Sequence, residues 1–472
     1  MRNHLSNAAY GILDYAAYPI GMLIVAPVVL RNLGIAQYGV WTVATAAVSM
    51  GSIVASGFGD ANIQHVATQR ASGDPGALLR AVRSTMGIHL MLGITMTLIS
   101  WLLAPYAAAH VVSSDAGLRS ACLWSFRIAS LIILARAIES VCISTQRAFE
   151  RYGAAVRISV IARLLPLGAA AVSRSVVNIM VATAVLIVLG LCLQLVHLKS
   201  LLHADSLMPA FDPAATKALF GFGIFSWIQA VSGVIFSQAD RLIMGVTLGA
   251  TVVTSYALCV QMAQPIYGLA ASGLHFLFPY LSGRRGTAST AVLRKAVFVA
   301  FLANLLLVAA GTAMLLLFGG RVLQAWGGDA IAQSAKPVLP LIAWSTALMG
   351  LNVTGSYAMF ALGRVRAVTW LNLVGGAAMM LLIALLLPRH GVYGIAMARL
   401  CYGPITLLVY LPLAFLLRSR PEARLPVAAG DSPRQEAGTK THARPRRLAA
   451  LSQSGNSVLA ATQPVNHEGH LS

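Results

Sequence analysis

The sequence predicts an all-α polytopic membrane protein of about twelve transmembrane helices, and three observations carry that prediction. Apolar stretches follow one another from Tyr10 to Leu417, and many are as long as the roughly 20 residues that one helix needs to cross a hydrocarbon core. Hydrophobic residues make up 58% of the 472 and charged residues only 10%. The segments between the stretches are too short to hold a second, soluble domain.

Taken in order, the spans cover residues 10–30, 38–58, 84–104, 120–144, 154–172 and 176–196, then 218–238, 250–272, 296–318, 337–360, 365–387 and 392–417. The first follows Met-Arg-Asn-His with no small-residue cleavage site behind it, and so reads as an uncleaved span. Pro19 and Pro27 each remove a backbone hydrogen bond from it, which predicts a hinge. The gaps at 59–83 and 197–217 read as loops, and the second divides the spans six plus six. Four regions result: an N-terminal six-helix unit (1–196), a connecting loop (197–217), a C-terminal six-helix unit (218–417) and a tail (418–472). The tail is basic and rich in Pro, Ser and Gly, the composition of a solvated, disordered segment. No glycine-rich turn marks 172–182, so the boundary between spans 5 and 6 stays open.

The halves carry a faint echo. Ala9-Tyr10-Gly11-Ile12 leads through span 1 to Arg31-Asn32-Leu33-Gly34 and Tyr38; Phe222-Gly223-Ile224-Phe225 leads through span 7 to Asp240-Arg241, which is taken as its end, then Leu248-Gly249 and Tyr256. Such similarity fits an internal repeat of two like halves, with chance among apolar sequences as the rival reading.

The net charge of +20 comes from 34 Lys and Arg against 14 Asp and Glu, and the tail holds only eight of the former and four of the latter. Most of the excess therefore sits in short loops between spans, where it reports topology rather than nucleic-acid binding. With the N-terminus inside, fifteen basic residues of the membrane body fall on the cytoplasmic side and seven on the other. That bias puts both termini in the cytoplasm. All five cysteines lie in apolar stretches without a CxxC pair and read as small buried residues. Neither a metal-ligand spacing nor a soluble-enzyme motif is present, and His65, His89 and His275 stand alone.

Arginines inside spans are the exception that needs a reason, since each costs at least ~2.5 kcal/mol at membrane depth unless it faces protein, water or an anion. Arg136 in span 4 and Arg163 in span 5 each lie about nine residues from the shared cytoplasmic turn, so a rise of ~1.5 Å per residue brings them to one depth. Glu139, three residues after Arg136, shares its helix face, and Arg127 adds a third cation nearer the far side. Two readings stand: an Arg–Glu pair locking the hairpin with Arg127 at an interface, or a cationic site for an anionic cargo. Arg399 in span 12 has no acid near it in sequence; it is either a further anion ligand or the partner of an acid such as Asp240. Glu139 and Asp14, near the start of span 1, are the intramembrane acids that could bind a coupling proton or sodium ion, with interfacial solvation the simpler reading of Asp14. Gln229, Gln261, Gln264, Asn304, Asn352 and Asn372 suit helix-to-helix hydrogen bonds or sugar hydroxyls. The glycosylation pattern Asn352-Val353-Thr354 lies inside a span and is discounted.

The order and spacing of Arg31-Asn32-Leu33-Gly34, Tyr38-Gly39-Val40-Trp41, Gly57-Phe58-Gly59, Ala239-Asp240-Arg241-Leu242 and Gly391-Val392-Tyr393-Gly394 resemble the Wzx-type oligosaccharide flippases. These belong to the superfamily that also holds the MATE exporters and the lipid II flippase MurJ. The resemblance covers nearly all of residues 1–417. It implies two six-helix bundles around a central cavity with a cationic N-terminal half. It further implies alternating access that carries a polyprenyl-pyrophosphate-linked oligosaccharide out across a bacterial inner membrane, for O-antigen, capsule or exopolysaccharide synthesis. On this reading Arg127, Arg136, Arg163 and Arg399 are candidate pyrophosphate ligands. Membrane lipids and other polysaccharide-assembly membrane proteins are implied partners, and no cofactor is implied. The two further spans usual in MurJ-like proteins are missing, which disfavours lipid II. A MATE-type exporter of small organic molecules is the alternative, although its cavity should offer carboxylates. An integral-membrane polymerase or ligase is a further one, although it should carry a large extracytoplasmic loop.

Overall fold

The computed structural model describes residues 2–113, 115–149, 152–274, 277–284 and 289–418. Among them the chain forms thirteen helices and no strand. In the first half these are α1 (Arg2–Ser56), α2 (Gly59–Ser72), α3 (Pro75–Val111), α4 (Ala116–Ala148), α5 (Tyr152–Val172) and α6 (Val176–Leu202). The second half has α7 (Pro213–Leu248), α8 (Ala250–Gly273), α9 (Leu277–Ser282), α10 (Thr290–Ala335), α11 (Leu339–Ala361), α12 (Val365–Leu407) and α13 (Tyr410–Arg418).

Three of the helices are broken by a non-helical glycine: α1 at Gly34, α10 at Gly328 and α12 at Gly391. With those divisions the first eleven expected spans each fall on one helical arm, and the twelfth is shared by the second arm of α12 and by α13; the chain is a multi-pass membrane protein. Large apolar side chains such as Leu102, Val196, Leu306 and Leu317 lie on outward faces, more than half exposed. Such a surface would be wrong in water and is right against lipid tails. Within, a contiguous apolar cluster runs through both halves, from Met22 to Leu417.

Gly34 (φ 73°, ψ 170°) makes the turn between the two arms of α1, and Gly249 (φ 85°, ψ 166°) makes the turn between α7 and α8. That backbone region is open to glycine alone. The first of these turns joins expected spans 1 and 2, and the second joins expected spans 7 and 8.

Several expectations are corrected. Residues 59–83 are not a loop: α2 and the first turns of α3 occupy them. Helix α2 is too polar for a hydropathy reading, yet it buries Ala61, Asn62 and Val66, and Asn62 Nδ2 donates to Ser144 Oγ at 2.7 Å. Gly73 ends α2 in a left-handed conformation, and Asp74 then caps α3 by accepting from the Gly76 N–H at 2.8 Å. Those amide groups, Ala77 first, hold the Asp74 carboxyl below the ordinary carboxylate range. The connecting loop is also tied down, with Ala210 N–H donating to Arg83 O at 3.1 Å and Arg83 Nε to Met208 O at 2.7 Å. Helix α7 continues to Leu248, which puts Asp240 and Arg241 two turns inside it rather than at its end.

Spans 5 and 6 are separated by the short turn Ser173-Arg174-Ser175, closed by a Ser175 N–H to Ser173 Oγ bond of 3.3 Å. Pro19 and Pro27 keep α1 helical; the break in that helix is at Gly34. Cys122, Cys142 and Cys259 are buried, whereas Cys192 and Cys401 are exposed. His89 is a core residue, its Nδ1 3.1 Å from Ala137 O, and His275 lies outside the described residues. The discounted glycosylation pattern is inside α11, where Thr354 is buried and Asn304 Nδ2 donates to its hydroxyl at 3.1 Å.

Candidate functional site

A cavity of about 820 Å³ opens between the two halves. Both arms of α1, together with α4, α5 and α6, form most of its wall, and α7 and α8 contribute Ala230, Gln264 and Tyr267. Its charged lining is Arg136, Glu139 and Arg147 from α4 and Arg163 from α5. Three guanidinium groups against one carboxylate make this part of the wall cationic among the described side chains.

Helical phase explains which arginines arrive there. At 3.6 residues per turn, positions eleven apart share a face and positions nine apart oppose each other. Arg147 therefore joins Arg136 on the cavity face, and Arg127 points away from it. The Arg127 guanidinium lies over the rings of Trp101 and Trp124, 5.2 Å from each centroid. This is a cation–π anchor of the kind that interfacial tryptophans provide. Arg147 counts in the sequence as a cytoplasmic loop residue, although this periodicity alone places it on the Arg136 face.

Arg136 Nη1 meets Glu139 Oε2 at 2.5 Å, with the arginine 19% and the glutamate 2% exposed. The other carboxylate oxygen, Oε1, is buried and has no hydrogen-bond partner among the described residues. Glu139 thus keeps an acceptor in reserve. Tyr18 and Pro19 close the same wall, and Tyr18 stands within electrostatic reach of Arg136, Arg163 and Arg241. Asp14 belongs to the part of α1 whose side chains lie outside the described residues.

Arg399 is elsewhere. Its Nη1 is 2.5 Å from Asp240 Oδ2, which also accepts from the Tyr256 hydroxyl at 2.6 Å. Asp240 Oδ1 takes the Arg241 N–H at 2.8 Å. Both partners are buried, so Arg399 belongs to the core of the second half rather than to the cavity wall. Of the four arginines expected to bind one anion, the structure brings together Arg136 and Arg163.

Toward Gly34, contacts between the halves cross the end of the cavity. Tyr38 OH donates to Gln261 Oε1 at 2.8 Å, and Thr254 Oγ1 to Ile35 O at 2.8 Å. Gly39 lies so close to α8 that a Cβ there would stand 1.9 Å from Ala250 O. At the other end α1 and α7 meet through Trp227, whose Nε1 donates to Val54 O at 2.9 Å while its ring stacks on Phe58. Among the remaining amides, Asn304 Nδ2 bonds Gly350 O at 2.9 Å, and Tyr402 OH donates to Asn372 Oδ1 at 3.3 Å. Asn352 accepts from Ser356 within its own helix, and the side chain of Gln229 lies outside the described residues.

A family model described as polysaccharide biosynthesis protein matches residues 28–326. No curated protein sequence matches significantly. Solved structures share the fold at low identity. A multidrug resistance MATE family transporter of the MOP superfamily, inward-facing, is 13% identical with a TM-score of 0.69, covering 86% of this chain and 98% of that one. An outward-facing transporter of the same description scores 0.54 at 16% identity, covering 87% and 97%. The lipid II flippase MurJ, inward closed, is 11% identical with a TM-score of 0.65, covering 88% and 86%. The fold is therefore that of transporters of the MOP superfamily.

Proposed function

The chain belongs to the polysaccharide biosynthesis protein family, and on that premise we propose that it is a flippase for a polyprenyl-pyrophosphate-linked oligosaccharide. The observation that carries this reading is the cationic wall of a cavity between two helical halves, built by Arg136, Arg147 and Arg163. A pyrophosphate cannot cross hydrocarbon without donors to replace its water, and guanidinium forks are permanently charged, bidentate donors for it. The glycan travels in the cavity while the prenyl chain stays in lipid. Glu139, already paired with Arg136, is the group through which a proton or sodium ion would couple.

The orientation follows the loop charges: both termini cytoplasmic, with the Gly34 end facing outward. The halves meet at residues 197–217, and movement is from the cytoplasmic to the outer leaflet of a bacterial inner membrane. The glycan belongs to O-antigen, capsule or exopolysaccharide synthesis. A MATE-type exporter of organic cations is the weaker reading, because cations would meet three arginines and a single acid among the described lining residues.

Replacing Arg136 or Arg163 with glutamine tests the proposal in cells that depend on this protein for a surface polysaccharide. Loss of surface polysaccharide, with accumulation of the lipid-linked intermediate in the inner leaflet, is the expected result at normal protein levels. Unchanged export in both variants would refute the cationic path.

A further inference from the structure

We propose that the second arm of α1 carries a glycan track: Thr45, Ser49, Ser52 and Ser56, together with the spare oxygen of Glu139, bind the hydroxyl groups of the oligosaccharide above its pyrophosphate. This rests on reading the cavity as the path of a lipid-linked oligosaccharide. The four residues recur at intervals of four, three and four, so they form one stripe along the helix, about 16 Å long at ~1.5 Å per residue. All four line the cavity, as does Glu139.

Their hydrogen bonding suits a sugar ligand. The Thr45 hydroxyl donates to Trp41 O at 2.9 Å, Ser49 to Thr45 O at 2.9 Å, and Ser56 to Ser52 O at 2.6 Å. With their protons placed on helix carbonyls, these oxygens keep lone pairs for donors coming from the cavity. Ser52 Oγ and Glu139 Oε1 are buried atoms that make no hydrogen bond among the described residues. Glu139 is itself 2% exposed, and its free oxygen can only accept while it is ionised. A wall of acceptors is matched by a ligand rich in O–H donors, and a neutral glycan is such a ligand.

The register is favourable too. Gly51 packs on Ile133 of α4, and Gly59 on Ser140, which puts Ser52 and Ser56 at about the depth of Arg136 and leaves Thr45 and Ser49 nearer the Gly34 end. Pyrophosphate on the arginines would therefore direct its sugars along the stripe. The stripe uses one kind of group repeatedly, so it selects for sugar hydroxyls without selecting one sugar.

The test uses purified full-length protein in lipid nanodiscs and two probes, a polyprenyl pyrophosphate without sugar and the same lipid bearing a short neutral oligosaccharide. Wild-type protein is expected to bind the glycosylated probe more tightly. The combined variant Thr45→Val, Ser49→Ala, Ser52→Ala, Ser56→Ala should bind the sugar-free probe as wild type does. Its affinity for the glycosylated probe should fall by at least about tenfold, the equivalent of one or two lost hydrogen bonds. Thr45→Ser with Ser52→Thr, which keeps the hydroxyls, should retain the preference. A combined variant that keeps the preference, or that loses both probes equally, overturns the track. So does a wild type that binds both probes alike, a result that leaves the flippase reading standing. A wild type that binds neither probe defeats both.

Discussion

The two halves each hold an arginine–carboxylate pair at 2.5 Å with a buried carboxylate, and beyond that the pairs differ: Arg399 is buried with its partner, whereas Arg136 is 19% exposed. In the second half Asp240 is fully buried and receives Arg399, the Tyr256 hydroxyl and the Arg241 N–H, so both of its oxygens are used. In the first half Glu139 leaves one oxygen unpartnered among the described residues, and Arg136 lines a cavity that also holds Arg147 and Arg163. A completed network in low dielectric holds helices together; an incomplete one beside a cavity can exchange its partner. On the proposed function, the same kind of pair serves the fold in one half and a ligand in the other.

The comparison breaks first at Asp240. Replacing Arg399 with methionine leaves a buried charge uncompensated, which should cost about 3–5 kcal/mol and show as a large fall in thermal unfolding temperature in detergent. Adding Asp240→Leu to that variant should recover much of the loss, since a buried pair exchanged for apolar groups is often neutral. Glu139→Gln is the matched change in the first half. It should destabilise far less, by about 1 kcal/mol, while altering transport.

The contact between the halves at Gly39 is the next point of attack. Gly39→Val pushes a side chain into the Ala250 carbonyl, and overpacking of that kind costs about 1–3 kcal/mol. In a cysteine-free background, a cysteine at Gln264 should then react with an impermeant maleimide added from the Gly34 side. No gain in labelling would show that the contact at Gly39 does not close that end.

Smallest of all should be Arg127→Gln. Losing its stacking on Trp101 and Trp124 should cost about 0.5–1 kcal/mol, with transport at the wild-type level. A transport defect as severe as that of Arg136→Gln would return Arg127 to the substrate path and blur the distinction between anchoring and cavity arginines.

Much of this architecture is legible in the amino-acid sequence. Hydropathy finds every membrane arm, because a bilayer imposes length and composition on each one. The i,i+3 spacing finds Arg136 and Glu139, and Asp240 is among the partners that suit Arg399. Helix α2 escapes because it is polar and outside the apolar runs, although Asn62 and Val66 bury one face of it. Arg147 escapes by counting as loop charge, and the Thr45–Ser56 stripe because single hydroxyls in apolar helices look incidental until their common face is seen against a cavity. Proximity in sequence groups Arg127 with Arg136, although half a turn of phase separates them. Sequence alone does not supply the identity of each partner across helices, as between Arg399 and Asp240, 159 residues apart.

The central claim, that arginines of the first half carry the pyrophosphate, is tested most directly by transbilayer movement in proteoliposomes. Purified protein would be given a fluorescent polyprenyl-pyrophosphate-linked oligosaccharide, with wild type beside the folded double variant Arg136→Gln, Arg163→Gln. Movement by wild type and a rate at least about tenfold slower in the double variant, or about 1.4 kcal/mol on the barrier, is the expected result. Equal rates in the two proteins would contradict it.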